Sequence, residues 1–174
     1  MVQGNLGLQT MKKRQSASSS SLKKVVAVQS DGTVLRGYVN PSGLGREENL
    51  ILLTQEGERR EIPLREIRCI YFVREFTPSF EPGRKEFLSR PKLDGLWVRL
   101  RFHDNDVLEG VVPNDLLALL DSGVHLTPPD MQGDTLRMFI PRSALAEMKV
   151  LGVVGIARRK PAAVAASQPA LFPD

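Results

Sequence analysis

The chain has one cysteine, Cys69, and two histidines, His103 and His125. These are residue types that often serve as nucleophile and general base near neutral pH. A base in that role needs an orienting partner and a nucleophile within reach. Cys69 precedes the apolar run Ile70-Tyr71-Phe72-Val73, a setting for a buried, inert thiol. His103 leads into the turn-like Asp104-Asn105-Asp106, and His125 lies within a short apolar segment. No Gly-x-Ser-x-Gly or comparable nucleophile context occurs. The expectation is a non-enzymatic protein with no catalytic residue. One cysteine and two scattered histidines do not make a zinc site. Asp104-Asn105-Asp106 lacks the spaced carboxylates and closing glutamate of a calcium loop, so it reads as a hairpin turn. Neither metal nor cofactor is expected.

The segment Asn40-Pro41-Ser42-Gly43-Leu44-Gly45 offers other chemistry. A carboxamide and a hydroxyl beside glycines can meet a guanine edge while backbone N–H groups approach a phosphate. The pattern Asn/Asp-x-Ser-x-x-Gly resembles half of the signature of PilZ domains. That resemblance implies cyclic di-GMP as ligand, with Asn40, Ser42 and Gly45 as its contacts. The Arg-x-x-x-Arg half is missing: upstream stand Lys12, Lys13, Arg14, Lys23 and Lys24, and lysine does not copy the bidentate grip of arginine. A plain Pro/Ser/Gly loop satisfies the same composition. Further on, Tyr71, Phe72, Phe76, Phe80 and Phe87 are interleaved with Arg74, Arg84, Lys85 and Arg90. Such a set can stack on single-stranded RNA or anchor a protein partner. Arg74, Phe76, Phe80 and Arg84 are therefore interaction-surface candidates. The competing expectation is that the linker phenylalanines pin their segment to the folded units.

Charge separates these readings. The net charge of +4 is not spread evenly: residues 25–156 hold 16 Lys/Arg against 19 Asp/Glu. The excess of bases lies in residues 1–24 and 157–174. A nucleic-acid reader normally carries its basic surface on the fold, so nucleic acid is expected to engage only the basic tails, weakly and with strong salt dependence. No apolar run approaches the roughly 20 residues of a membrane-spanning helix. The N-terminus lacks the apolar core of a secretory signal, and Met11 is an alternative start to Met1. The lone cysteine fits a cytoplasmic setting. Residues 1–23, Ser-rich and basic, and 157–174, rich in Ala and Pro, are expected to be disordered tails.

What must position these residues is a repeated pattern. Asp31-Gly32-Thr33-Val34-Leu35-Arg36-Gly37 aligns with Asp104-Asn105-Asp106-Val107-Leu108-Glu109-Gly110 at an offset of 73. Ile51-Leu52-Leu53-Thr54 falls on Val124-His125-Leu126-Thr127 at the same offset. Ile62-Pro63-Leu64 matches Ile140-Pro141-Arg142 at an offset of 78, the difference lying in the Pro/Gly/Asp-rich stretch from Pro128 to Asp134. Three colinear blocks indicate internal duplication. Each half reads as five short strands with one helical turn before the last, and Asp115–Asp121 as a candidate short helix. The expectation is an all-β protein of two tandem five-stranded SH3/Sm-like small barrels, residues 24–74 and 96–156, joined by a linker over 75–95. At about 50 residues each lies near the lower limit for an independent core, so the units should pack together or form a homo-oligomer.

The motifs D-G-x-V-L-x-G (Asp31 to Gly37), I-P-L (Ile62 to Leu64) and Y-F-V-R-E-F (Tyr71 to Phe76) resemble an uncharacterised bacterial domain family over residues 24–155. The resemblance implies the small-barrel fold and a bacterial cytoplasmic setting, and it assigns no activity. The functional expectation is a protein-interaction or regulatory module with a protein partner. A PilZ-like cyclic di-GMP site or an Sm-like RNA reader is the alternative.

Overall fold

The computed structural model describes residues 22–130 and 132–155. The tail assignments therefore lie outside the described residues, except at Leu22 and Lys23. Ten strands form in chain order: β1 Lys23–Gln29, β2 Val34–Val39, β3 Asn49–Thr54, β4 Arg59–Pro63 and β5 Ile67–Val73, then β6 Gly95–Phe102, β7 Val107–Val112, β8 Gly123–Leu126, β9 Thr135–Pro141 and β10 Leu145–Val154. Alternation explains the ordinary strands: Leu50, Leu52 and Thr54 of β3 point inward while Ile51 and Leu53 are half-exposed. Single 3-10 turns, Leu64–Glu66 and Arg142–Ala144, precede β5 and β10. The leucine-rich Asp115–Asp121 segment yields only a 3-10 turn at Ala118–Leu120 and leaves Leu116, Leu117 and Leu120 exposed. Those leucines bury no common stripe, so nothing sustains a longer helix.

All strands are antiparallel, in a seven-stranded sheet β4-β3-β2-β1-β5-β9-β8 and a three-stranded sheet β10-β6-β7. The protein is thus all-β, and the expected pair of separate barrels is replaced by two sheets that do not close. The reason is β5. It pairs with β1 on one side and with β9, from the other half, on the other. Its sequence is apolar on both faces because both are buried: Ile70 and Phe72 enter one core, Cys69 and Tyr71 the other. β9 reciprocates, sending Phe139 into the first core and Met138 and Ile140 into the second. Neither half completes its core alone.

The halves nevertheless share their connectivity and local geometry. Gln29↔Ile67 and Val28↔Cys69 in β1–β5 skip Arg68; Phe102↔Leu145 and Arg101↔Glu147 in β6–β10 skip Ala146 at the corresponding place. Gly32 (φ 88°) and Asn105 (φ 66°) occupy the same left-handed turn position. Each turn is closed alike, Thr33 N donating to Asp31 Oδ1 at 2.9 Å and Asp106 N to Asp104 Oδ1 at 3.1 Å. β2 meets β3 at Gly37↔Thr54, and β7 meets the end of β8 through the Val111↔Thr127 bridge.

Candidate binding cleft between the two halves

The linker after β5 contains no strand or helix up to Gly95, yet it is tied down along its length. Lys24 donates to the Arg74 carbonyl at 3.2 Å and to Glu75 at 2.7 Å. Phe76 stands edge-on to Tyr38, ring centroids 5.6 Å apart. Arg36 donates to the Pro78 carbonyl at 3.1 Å. Phe80 packs on Tyr71 at 4.8 Å and Phe87 on Trp97 at 6.3 Å. The buried Glu109 carboxylate accepts from Phe87 N at 3.3 Å and from Trp97 Nε1 at 3.2 Å. It also takes two N–H bonds from Arg99, at 3.1 and 2.7 Å. Four donors satisfy its lone pairs, which is what allows a carboxylate to be buried.

Beneath this strap lies a cleft of about 650 Å³, within the size range of ligand pockets. Its walls come from the first half (Val28, Tyr71), the strap (Thr77 to Lys85) and the second half (Phe102, Leu108, Met138). At one end Arg68 lies over the Phe102 ring, its guanidinium carbon 4.3 Å from the centroid. Arg68 pairs with Asp104 and, at 2.8 Å, with Asp106. Asp106 also takes both Lys85 bonds at 2.8 Å. Partial burial pushes the Asp106 carboxyl up, but the Lys85 hydrogen bond and charge, with Val107 N and Arg68, outweigh it and hold it below the ordinary value. Asp104 is lowered chiefly by Arg68. Tyr71 is raised, chiefly by burial, so its hydroxyl stays protonated.

Of the interaction-surface candidates, the structure brings Phe80 and Arg84 to this cleft, Phe80 in its wall and Arg84 exposed at its edge. Phe76 is spent on Tyr38, and Arg74, exposed, bonds through its backbone to Asp134. Asn40, Ser42 and Gly45 lie elsewhere. The Asn40 carboxamide accepts from Ser42 N at 3.1 Å, capping the 3-10 turn Pro41–Gly43. Gly45 is buried at φ 91° against Asp121 and Phe139, and its carbonyl accepts from Ser122 N at 3.0 Å. That loop thus helps join the halves.

His103 is exposed in the β6–β7 turn, whereas His125 on β8 packs against Phe139 at 5.0 Å. Burial, then the Arg137 charge, keeps His125 below its ordinary value. Cys69 is buried, and burial pushes its thiol up to about 12. Among the described residues no group of three His, Cys, Asp or Glu is arranged to hold a metal ion. No helix among them is long and apolar enough to cross a membrane.

Sequence reasoning named Lys85 among the linker bases and Asp106 as a turn residue, but it missed Arg68, the pairing of these three in the cleft wall, and Glu109, which holds the strap. One signal was available. The variable position of V-L-x-G is Arg36 in one half and Glu109 in the other, and each grips a backbone group of the linker, a carbonyl and an amide respectively.

A family of unknown function, DUF6982, matches residues 21–152. No curated protein and no solved structure matches the chain.

Proposed function

We propose that this chain, which belongs to the family of unknown function DUF6982, is a non-enzymatic interaction module that takes an apolar anchor of a partner polypeptide into the cleft between its halves. The observation that carries this reading is that two of the three bases in the cleft wall, Arg68 and Lys85, are already neutralised. Arg68 is held by Asp104 and Asp106, and Lys85 by Asp106. A phosphate ligand would have to compete with those carboxylates. An apolar side chain breaks no ion pair and would pack on the half-exposed Phe80 ring, over a floor of buried Phe102, Leu108 and Met138. Arg84 has no ion pair among the described residues, but Glu81, Asp130 and Asp134 also line the cleft, so the anchor is apolar rather than acidic.

The matching registers, bulge and turn support a tandem duplication of one five-stranded unit with SH3/Sm-like strand order, residues 24–74 and 96–156, with 75–95 as the strap. The setting we propose is the bacterial cytoplasm, with which the inert buried thiol of Cys69 is compatible.

The test is selection of a peptide library on the full chain, followed by affinity measurement with the best peptide. Phe80→Ala should weaken binding about 30-fold, as loss of a hot-spot aromatic worth about 2 kcal/mol does. Unchanged affinity would refute the cleft. The nucleotide alternative is read in the same preparation. A rise in Tm with cyclic di-GMP, lost on replacing Asn40 and Ser42 by alanine, would establish that alternative instead.

A further inference from the structure

β10 is the outer strand of the three-stranded sheet. It pairs with β6 on one side and with no described strand on the other. It is ten residues long and leaves Met148, Val150 and Val153 exposed at 38, 55 and 62%. Soluble proteins usually shorten, charge or cover such an edge. The counterpart of β10 in the first half is β5. Gln29↔Ile67 and Val25↔Phe72 in β1–β5 correspond to Phe102↔Leu145 and Val98↔Val150 in β6–β10. Met148 and Val150 therefore stand where Ile70 and Phe72 stand. Those two are only 0 and 4% exposed: their face packs into the first core, to which β9 adds Phe139 opposite Ile70. Among the described residues β10 has apolar side chains at the same positions with no strand beside them, and the strap reaches it through Arg90, which donates to the Val153 carbonyl at 2.6 Å.

With β7 and β8 meeting each other at the Val111↔Thr127 bridge, a second copy of the chain could supply either of the two remaining edges. The first is β4, the counterpart of β9 and the open end of the large sheet. Docked as β9 docks on β5, it would place Arg60 opposite Lys149 and Glu61 opposite Met148, where the β5–β9 seam has Met138 opposite Tyr71 and Phe139 opposite Ile70. Like charges face to face destabilise a ladder, and a carboxylate is a poor substitute for a ring. The second is another β10. Antiparallel about a two-fold axis at Met148, Glu147, which pairs with Lys149 and Arg101 of its own chain, also opposes Lys149 of the other copy, and Val150 opposes the bulge residue Ala146. Such a contact is self-complementary and closes at two chains.

We propose that β10 is a homodimer edge, pairing with β10 of a second copy to give one continuous sheet β7-β6-β10-β10-β6-β7. Sedimentation equilibrium of the full chain at micromolar concentration should give twice the 19.3 kDa chain mass. Val150→Lys, at an exposed position, should give the monomer with an unchanged circular dichroism spectrum. Register is read from Met148→Cys. At the axis its two thiols face each other within disulfide reach, and mild copper–phenanthroline oxidation should yield a covalent dimer. Val153→Cys, more exposed but off the axis, should not couple. A monomeric wild-type chain, a dimer that survives Val150→Lys, or equal coupling of both cysteine variants would overturn the proposal.

Discussion

Two residues at corresponding positions, Arg36 and Glu109, hold the strap by opposite chemistry, one as donor and one as acceptor. Removing Glu109 strands the Phe87 amide and the Trp97 indole N–H, so Glu109→Ala should cost about 1–3 kcal/mol. It should also speed tryptic cleavage at Arg84, Lys85 and Lys92, which a proteolysis time course reads directly. His125 gives a pH signature. Its folded pKa is held below the ordinary 6.5, so the unfolded chain binds the proton first. Stability should therefore fall as pH drops through about 6.5 and level off once the folded form is protonated too. His125→Leu, the residue at the corresponding Leu52, should flatten that slope in urea titrations at pH 7 and pH 5. At this scale the sequence exposes residue types but not their partners. Asn40 and Ser42 have the chemistry of a ligand loop, and only the geometry reveals that Asn40 Oδ1 is engaged by Ser42 N. The cleft charges were hidden for the same reason, since Arg68 meets Asp104 and Asp106 across 36 and 38 residues.

The strands were legible because alternation and turn chemistry are local. The five strands of each half, with one turn before the last, form in the order those signals give them. The pairing of β5 with β9 was not legible. An apolar run such as Ile67–Val73 says that both faces are buried, and it does not say by what. The glycine of V-L-x-G has a reason that the sequence conceals. A Cβ on Gly37 would collide with the Leu53 carbonyl, and one on Gly110 with the Leu126 side chain. Each stands where the second strand of its half meets the third. Gly37→Ala and Gly110→Ala should each destabilise by about 1–3 kcal/mol, the usual cost of overpacking. Gly152→Ala, with open space around its Cβ, should leave the urea midpoint nearly unchanged.

For the whole molecule, exchange of strands between the halves makes one folding unit of what reads as two. Phe139 completes the first core, and Cys69 and Tyr71 help build the second. Residues 22–74 alone would expose the β5 edge and lose Phe139, so unfolding of the full chain should be a single cooperative transition. The same exchange creates the cleft, whose walls belong to both halves and to the strap. The most direct test of the proposed function is titration of a library-selected peptide into the isotope-labelled full chain, followed by backbone amide NMR shifts. The largest shifts should gather at Tyr71, Phe80 to Lys85, Phe102 and Met138. Shifts confined to β10, to the Asn40–Gly45 loop or to the terminal segments would contradict that function.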